Sequence, residues 1–568
     1  MKLHKIFLFC LCLIIFVPQV YGQAPSLAPG FPIIIDSLNG AASQPVVADI
    51  DEDGSEDIVV SKNSPPFLIF VYNLQGEVIP GWPQPVDGGT FALAAGDLDG
   101  DGHIEVVART VYSLYAFRNN GALLAGFPQV FANDLDLGRR QIALYDFHNN
   151  NTLDIVNATF NRVAVYHNDG SVHTGWPKTL RGKMALYPSV ADINNDGNAE
   201  IIIASYRIVP QSTNDSAWIH VLNINGEYLP GWPKLLDSNY AIFSSASIGN
   251  INNDDSLEIL IGSHYYITLD TCYTKINIFS PTGVLLKTWF NRNSGYIEFG
   301  DIAIGDVNND NIPEIAVSDR KNNNFLFDTD GNDVPGWPVN RYQYFPPKLV
   351  DIDNDSVPEI FLGYNASTFP EDTGRIYCYK NNAQQVAWSP LHVYGNTGVD
   401  QPLFSDLNND GSLEMIFLGR ISVHNHGGYA LSVYTFANAA FTAKGSPWPQ
   451  LEHDRHGTYQ FGYVPSDNIV GVPAAEKSIP QFFLAQNYPN PFNPLTTIHY
   501  TLSASALVSL KVYDILGREV ATLINNEPMQ PGKHEKQFDG SKLSSGVYFY
   551  RLNVDGKFSA TKKLVVMK

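Results

Sequence analysis

Cysteine is nearly missing from this chain, with four residues in 568. Cys10 and Cys12 sit inside an N-terminal apolar stretch, while Cys272 and Cys378 fall in segments far apart. That excludes a disulfide scaffold and leaves the two later thiols as isolated packed side chains. Positive charge is also short, 36 Lys and Arg against 57 Asp and Glu, for a formal net charge of −21. Such a surplus of acid argues against nucleic acid or an anionic membrane as a partner. The apolar run from Ile6 to Val17 is too short to span a bilayer. With Lys2 and Lys5 before it and Val20-Tyr21-Gly22 after it, residues 1–22 read as a secretory signal peptide, and no transmembrane segment is expected once it is removed. There is no Gly-x-Ser-x-Gly, His-Glu-x-x-His, phosphate-binding glycine loop or dinucleotide fingerprint, and no stretch keeps a helical period.

What the chain has instead is a repeated acidic loop. Asp97-Leu98-Asp99-Gly100-Asp101-Gly102-His103-Ile104-Glu105 places side-chain oxygens at positions 1, 3, 5 and 9, with a glycine at position 6 for a sharp turn. A hard cation such as Ca²⁺ takes six to eight oxygens in an adaptable shell, and this loop offers most of them. No helical pattern flanks it, so it joins two strands. Position 1 recurs at Asp49, Asp97, Asp146, Asp192, Asn250, Asp306, Asp351 and Asp406, at intervals of 45 to 58 residues, and every copy ends in an acid followed by an apolar residue. That is the spacing of propeller blades.

The candidate ligand sets are Asp49, Asp51, Asp53 and Asp57; Asp97, Asp99, Asp101 and Glu105; Asp192, Asn194, Asp196 and Glu200; Asp306, Asn308, Asp310 and Glu314; Asp351, Asp353, Asp355 and Glu359; and Asp406, Asn408, Asp410 and Glu414. Asn311 and Ser356 must take the bend where glycine is missing. The third loop carries His148 and Asn150 in place of acids and the fifth starts with Asn250, which marks these two as weak or empty for calcium.

A second marker alternates with the loops: Gly30-Phe31-Pro32, Gly81-Trp82-Pro83, Gly126-Phe127-Pro128, Gly175-Trp176-Pro177, Gly231-Trp232-Pro233 and Gly336-Trp337-Pro338, with weaker forms at Thr288-Trp289, Trp388-Ser389-Pro390 and Pro447-Trp448-Pro449. Nine posts enclose eight intervals with one acidic loop each. Within residues 91–128 the order is strand Phe91–Ala95, loop, strand Glu105–Arg109, strand Ser113–Arg118, and the turn Asn119-Asn120-Gly121, a hairpin signal. Four short strands per unit describe an all-β, eight-bladed propeller, with a seven-bladed ring the alternative. The aromatic residues are expected to fill the broad outer gap between wedge-shaped blades; Trp218 and Trp289, off the regular marker, stay open as sugar-stacking platforms.

The repeats stop near Trp448–Thr458. Residues 463–480 read as a linker, and 481–568 as a small β-sandwich with strands at Thr497–Leu502, Val508–Tyr513 and Val547–Leu552. Two histidine groups, His424-Asn425-His426 and His453-Asp454-Arg455-His456, lack an identifiable third ligand or nucleophile and read as structural, the second within the closing segment of the ring.

The acidic loops, over roughly residues 30–460, resemble the FG-GAP/VCBS repeats of integrin-α-like propellers. That resemblance implies calcium bound within the blades. The tail resembles a type IX secretion C-terminal sorting domain of type A. The blocks that carry this likeness are Asn487-Tyr488-Pro489-Asn490-Pro491-Phe492-Asn493-Pro494, Val512–Val520, Leu543–Tyr550 and Lys562–Lys568. It implies export across the outer membrane of a Gram-negative bacterium by that machinery, often with anchoring at the surface. Residues 23–462 are then expected to form the propeller.

Acids at the same spacing in eight units serve a geometry common to all units, whereas catalysis needs one asymmetric constellation. The expected role is therefore binding or adhesion toward a glycan or extracellular protein. The rival is a carbohydrate-active enzyme such as a polysaccharide lyase, with Arg139-Arg140 or His264-Tyr265-Tyr266 as candidate clusters.

Overall fold

The computed structural model describes residues 24–566 apart from 37–42, 132–140, 207–216, 237–239, 293–301, 342–345, 365–372, 396–400, 440–453, 455–481 and several shorter stretches. The expected signal peptide and linker lie outside the described residues. The chain divides into two compact units between Gly471 and Val472.

The first unit is built of eight separate antiparallel sheets of four or five strands. In blade 2 the strands are Thr90–Gly96, Glu105–Thr110, Ser113–Phe117 and Gln129–Val130, so the expected strands are found and the outermost is a two-residue strand just past the Gly-Phe-Pro marker. The position-9 acid opens the second main strand of its blade in the first seven loops, and in the eighth Glu414 is the second residue of Leu413–Val423. These second strands are apolar runs instead of alternating patterns, as in Asp57–Lys62 and Glu105–Thr110, because the neighbouring blades cover both of their faces. Each core cluster of this unit accordingly joins side chains of successive sheets: Val59, Val71, Trp82, Ala95 and Val106 lie in one, Val433, Leu418, Phe31 and Ile58 in another.

Blades 1 to 7 run along the sequence from Val46–Ala48 to Leu391–Tyr394. Blade 8 joins the two sides of the repeat array. Leu403–Ser405, Leu413–Val423 and His426–Phe436 supply its inner strands, and Ser26–Leu27 and Ile33–Asp36 pair with His426–Phe436. The ring thus closes within blade 8, where strands from the two sides of the repeat array share one hydrogen-bonded ladder, while blades 8 and 1 pack through side chains as the other neighbours do. The aromatic markers behave as expected of blade-to-blade packing, and the structure adds a polar contact. The indole N–H of Trp82 donates to Asn119 O (3.0 Å), that of Trp176 to Ile224 O (2.6 Å), Trp232 to Pro281 O (2.7 Å) and Trp337 to Asn381 O (2.6 Å), each in the turn of the following blade. Gly81 has φ +92° and a Cβ there would overlap Asn120 O of that same turn, so close approach, not the turn alone, demands glycine. Trp289 is buried against Gly331 of blade 6, which settles it as packing and removes it as a sugar platform. Trp218 is half-buried with the Arg181 guanidinium 4.9 Å over its ring.

The second unit has a three-stranded sheet of Phe482–Leu484, Leu495–Leu502 and Gly532–Asp539, and a four-stranded sheet of Glu519–Met529, Ala506–Asp514, Gly546–Val554 and Phe558–Val566. Their inner faces share one core that includes Ile498, Tyr500, Val508, Leu510, Tyr550 and Leu564. This is the small sandwich read from the alternating pattern.

Candidate functional site: the ring of acidic loops

Each loop is shaped by its own side chains. The position-1 carboxylate accepts the backbone N–H of position 6, as in Asp49–Gly54 (3.1 Å), Asp97–Gly102 (3.0 Å), Asp192–Gly197 (2.8 Å), Asp306–Asn311 (2.7 Å), Asp351–Ser356 (2.9 Å) and Asp406–Gly411 (2.9 Å). Position 6 has positive φ in all of these, including Asn311 (65°) and Ser356 (67°), which take the bend where glycine is missing. The position-9 acid is anchored from the other side. One of its oxygens accepts the backbone N–H of loop residue 2, from Ile50 to Asp57 (3.0 Å), Leu98 to Glu105 (2.9 Å), Ile193 to Glu200 (3.1 Å), Val307 to Glu314 (2.9 Å), Ile352 to Glu359 (3.1 Å) and Leu407 to Glu414 (3.1 Å). The fifth loop repeats this between Ile251 and Glu258 (3.0 Å).

Three pairs of adjacent loops are also linked by a backbone hydrogen bond. The N–H of Leu153 donates to Leu98 O of the preceding loop (3.1 Å), Leu257 to Ile193 O (3.0 Å), and Glu56 of blade 1 to Leu407 O of blade 8 (2.5 Å). Within these pairs, whatever orders one loop therefore bears on the other.

Burial pushes the position-9 acids far up. Asp57, Glu258, Glu314 and Glu414 rise to about 7, and Glu105, Glu200 and Glu359 to about 8, with nearby loop carboxylates adding to the effect. A buried anion of this kind calls for a cation. Asp49 Oδ1, Asp99 Oδ1 and Glu105 Oε1 are buried without a hydrogen-bond partner, although carboxylate oxygens should have one. Carboxylate oxygens of Asp49, Asp51 and Asp53, of Asp97, Asp99 and Asp101, and of Asp351, Asp353 and Asp355 lie within 4.8 Å of one another. Oxygens in one Ca²⁺ shell, at 2.3–2.6 Å from the ion, are separated by no more than about 5 Å. The donor set, all oxygen and mostly anionic, fits a hard dication.

The loops differ in how far the chain itself meets this need. Arg118, just after the third strand of blade 2, reaches Asp99 (3.0 Å) and Asp101 (3.1 Å), and Lys380 stands in the same place in blade 7 beside Asp353 (3.1 Å) and Glu359 (3.8 Å). Where position 3 is asparagine its amide serves: Asn308 donates to Glu314 (2.7 Å) and Asn252 to Glu258 (2.9 Å). Asn194 and Asn408 accept from the N–H groups of Asp196 (2.9 Å) and Asp410 (3.0 Å). Asn194, Asn308 and Asn408 were read from the sequence as loop ligands, whereas Arg118, Lys380 and Asn252 were not. The third loop departs furthest: His148 and Asp154 stand with two further histidines, His167 and His173, which nothing in their spacing singled out.

Of the other sequence candidates, Arg139-Arg140, His424, Asn425 and the side chains of His264, Tyr265, Tyr266 and His426 lie outside the described residues, as do His453, Arg455 and His456. Cys378 is a free, fully buried thiol, held well above its ordinary value by burial. Among the described residues no helix is long and apolar enough to cross a membrane.

Comparison with known proteins agrees with this anatomy. The FG-GAP-like repeat matches residues 49–108 and 146–203, which contain the first four acidic loops, and the secretion system C-terminal sorting domain matches residues 486–567. No curated protein matches the chain. Among solved structures, the exotype rhamnogalacturonan lyase YesX is similar at a TM-score of 0.50 and 16% identity, over 79% of this chain and 82% of that one. BamB from Moraxella catarrhalis is similar at 0.41 and 13% identity, over 72% and 100%, and the V. cholerae biofilm matrix protein Bap1 at 0.35 and 14% identity, over 73% and 81%. At such identities the likeness to YesX is one of fold. A sorting domain of this kind implies an interaction with the type IX secretion machinery. The chain is thus an eight-bladed propeller carrying FG-GAP-like repeats and ending in a secretion system C-terminal sorting domain, which directs it out of a Gram-negative cell, to the medium or the cell surface.

Proposed function

We propose that this protein is a calcium-stabilised binding or adhesion module that works at the cell surface or in the medium, toward a glycan or an extracellular protein. The observation that carries the reading is the repetition of one oxygen cage, anchored by the same two backbone hydrogen bonds, in successive blades of a closed ring. Repetition suits a structural ion that stiffens a broad recognition surface, and extracellular calcium sites need only modest affinity. The ions would sit in the loops beginning at Asp49, Asp97, Asp192, Asp306, Asp351 and Asp406. Residues 23–462 would form the mature propeller, 463–480 a linker and 481–568 the sorting domain.

A second reading, a polysaccharide lyase, is favoured by the fold shared with YesX, a rhamnogalacturonan lyase. One experiment addresses both. The mature chain is applied to a glycan and matrix-protein array with Ca²⁺ and with chelator, and the same acidic glycans are incubated with it and monitored for ultraviolet-absorbing unsaturated products. Calcium-dependent retention without product supports the binding module. Product formation overturns it in favour of the lyase.

A further inference from the structure

Blade 3 departs from its neighbours at three places at once. Position 3 of its loop is His148, where the other loops carry Asp or Asn. The residue after its third strand, Arg162–Tyr166, is His167, where blades 2 and 7 have Arg118 and Lys380. The third is His173, whose N–H closes the next turn on Val165 O; the residues that make this same bond in other blades are Ile79, Leu124, Leu229, Val334 and Val386. The fold does not require these changes, since the other blades manage without them, yet all three converge on one carboxylate.

His148 Nε2 lies 3.3 Å from His173 Nε2 and 3.6 Å from Asp154 Oδ2, while His167 Nδ1 lies 3.0 Å from Asp154 Oδ1. One ligand atom from each of the four residues falls within 4.8 Å of the others. The side chain of Asp154 is only 6% exposed, and its Oδ2 is without a hydrogen-bond partner. Ligand atoms of a tetrahedral zinc site, at about 2.0–2.2 Å from the ion, are about 3.3–3.6 Å apart. Two of the pairs, His148 with His173 and with Asp154 Oδ2, already have that spacing, and the four ligand atoms lie within 4.8 Å of one another. The cluster offers three imidazoles and one carboxylate, far short of the six to eight oxygens that calcium takes, and imidazole prefers zinc, copper or nickel.

We propose that His148, Asp154, His167 and His173 form a four-ligand site for a zinc-class dication, distinct in chemistry from the oxygen cages of the other blades. Where Arg118 and Lys380 tie strand end to loop by ion pairs, blade 3 makes the same tie through a shared metal. The site does not depend on the ligand the propeller recognises.

The full-length protein, stripped with chelator and dialysed against Zn²⁺ in excess Ca²⁺, is expected to retain one zinc that elemental analysis detects. Cobalt in its place should show the intense visible bands of tetrahedral coordination. The double variant His167→Gln/His173→Gln should lose this zinc, with affinity falling by more than the about 10–100-fold that even outer-sphere partners of a metal cost. His148→Asp, at an exposed position that tolerates change, should weaken zinc and strengthen calcium at this loop. Failure of the wild-type chain to hold zinc against calcium overturns the proposal. So does undiminished zinc in His148→Asp, which would place the metal on other histidines, or an octahedral cobalt spectrum.

Discussion

Glu105→Gln should change sign with calcium. Glu105 is fully buried, accepts the Leu98 N–H through Oε2 at 2.9 Å, and leaves Oε1 without a partner beside Asp99. Burial raises its carboxyl from 4.5 to about 8. An acid held above its unfolded value binds its proton more tightly when folded, so the folded state loses stability as pH rises from about 4.5 through about 8. At about 1.4 kcal/mol per pH unit the full rise is worth at most about 5 kcal/mol. Solvent on the open side of the loop and the neighbouring Arg118 screen it, leaving ~2 kcal/mol.

Glutamine has no proton to lose and can donate to Asp99, as Asn308 does to Glu314 at 2.7 Å. In chelator at pH 8.5 the variant should therefore melt higher than wild type. With an unfolding entropy of about 2.1 cal/mol/K per residue over roughly 440 residues, 2 kcal/mol amounts to about 2 °C. At pH 5, where the wild-type carboxyl is protonated, the difference should vanish. In calcium the order reverses, since the variant lacks one anionic ligand; a site filled at a hundred times its Kd contributes about 2.7 kcal/mol, which outweighs the ~2 kcal/mol the variant gains in chelator at pH 8.5 and leaves it about 1 °C lower there. Differential scanning calorimetry of both proteins, in chelator and in calcium, at the two pH values, measures all four differences. The same sign in chelator and calcium at pH 8.5 would refute the ion cage.

Other perturbations reach the frame that holds the loops. Trp232→Phe keeps most of the packing but strips the bond to Pro281 O, and should destabilise the chain by about 1–3 kcal/mol in thermal unfolding; an unchanged melt would mean that the indole N–H is idle. Gly81→Ala meets Asn120 O of the next blade at φ +92° and should cost more than about 2 kcal/mol, read as a lower denaturant midpoint, whereas Gly54→Ala, with nothing within 4 Å, should cost only its backbone strain. Deleting residues 23–36 removes the strands that complete blade 8 and should abolish cooperative unfolding, visible as a broadened calorimetric peak. Deleting residues 486–567 should leave the propeller inside the cell envelope, which fractionation followed by immunoblotting would show.

Much of this molecule was written locally. A nine-residue loop must present its oxygens at fixed offsets and bend at position 6, so its geometry is visible in any one copy, and eight copies count the blades. The Gly-aromatic-Pro marker is as compact, and its interblade role followed from its place at the unit boundary. The sorting domain was legible because its four blocks are short and ordered. Other features depend on which turns face each other. Arg118 and Lys380 look like ordinary surface charges until the end of the third strand is set beside the loop. Trp289 lacks the marker's glycine and proline, yet Gly331 across the boundary fixes its place. His148, His167 and His173 lie in three separate turns, and only the pairing of Asp154–Thr159 with Arg162–Tyr166 brings them to one carboxylate.

The sequence alone determined the all-β class, the eightfold repeat and the oxygen-rich character of the loops, because these rest on periods shorter than a blade. Only the tertiary structure decided where the ring closes, which loops carry their own cation and which further histidines join His148 at Asp154, because each is a contact between residues that meet only once the sheets have packed.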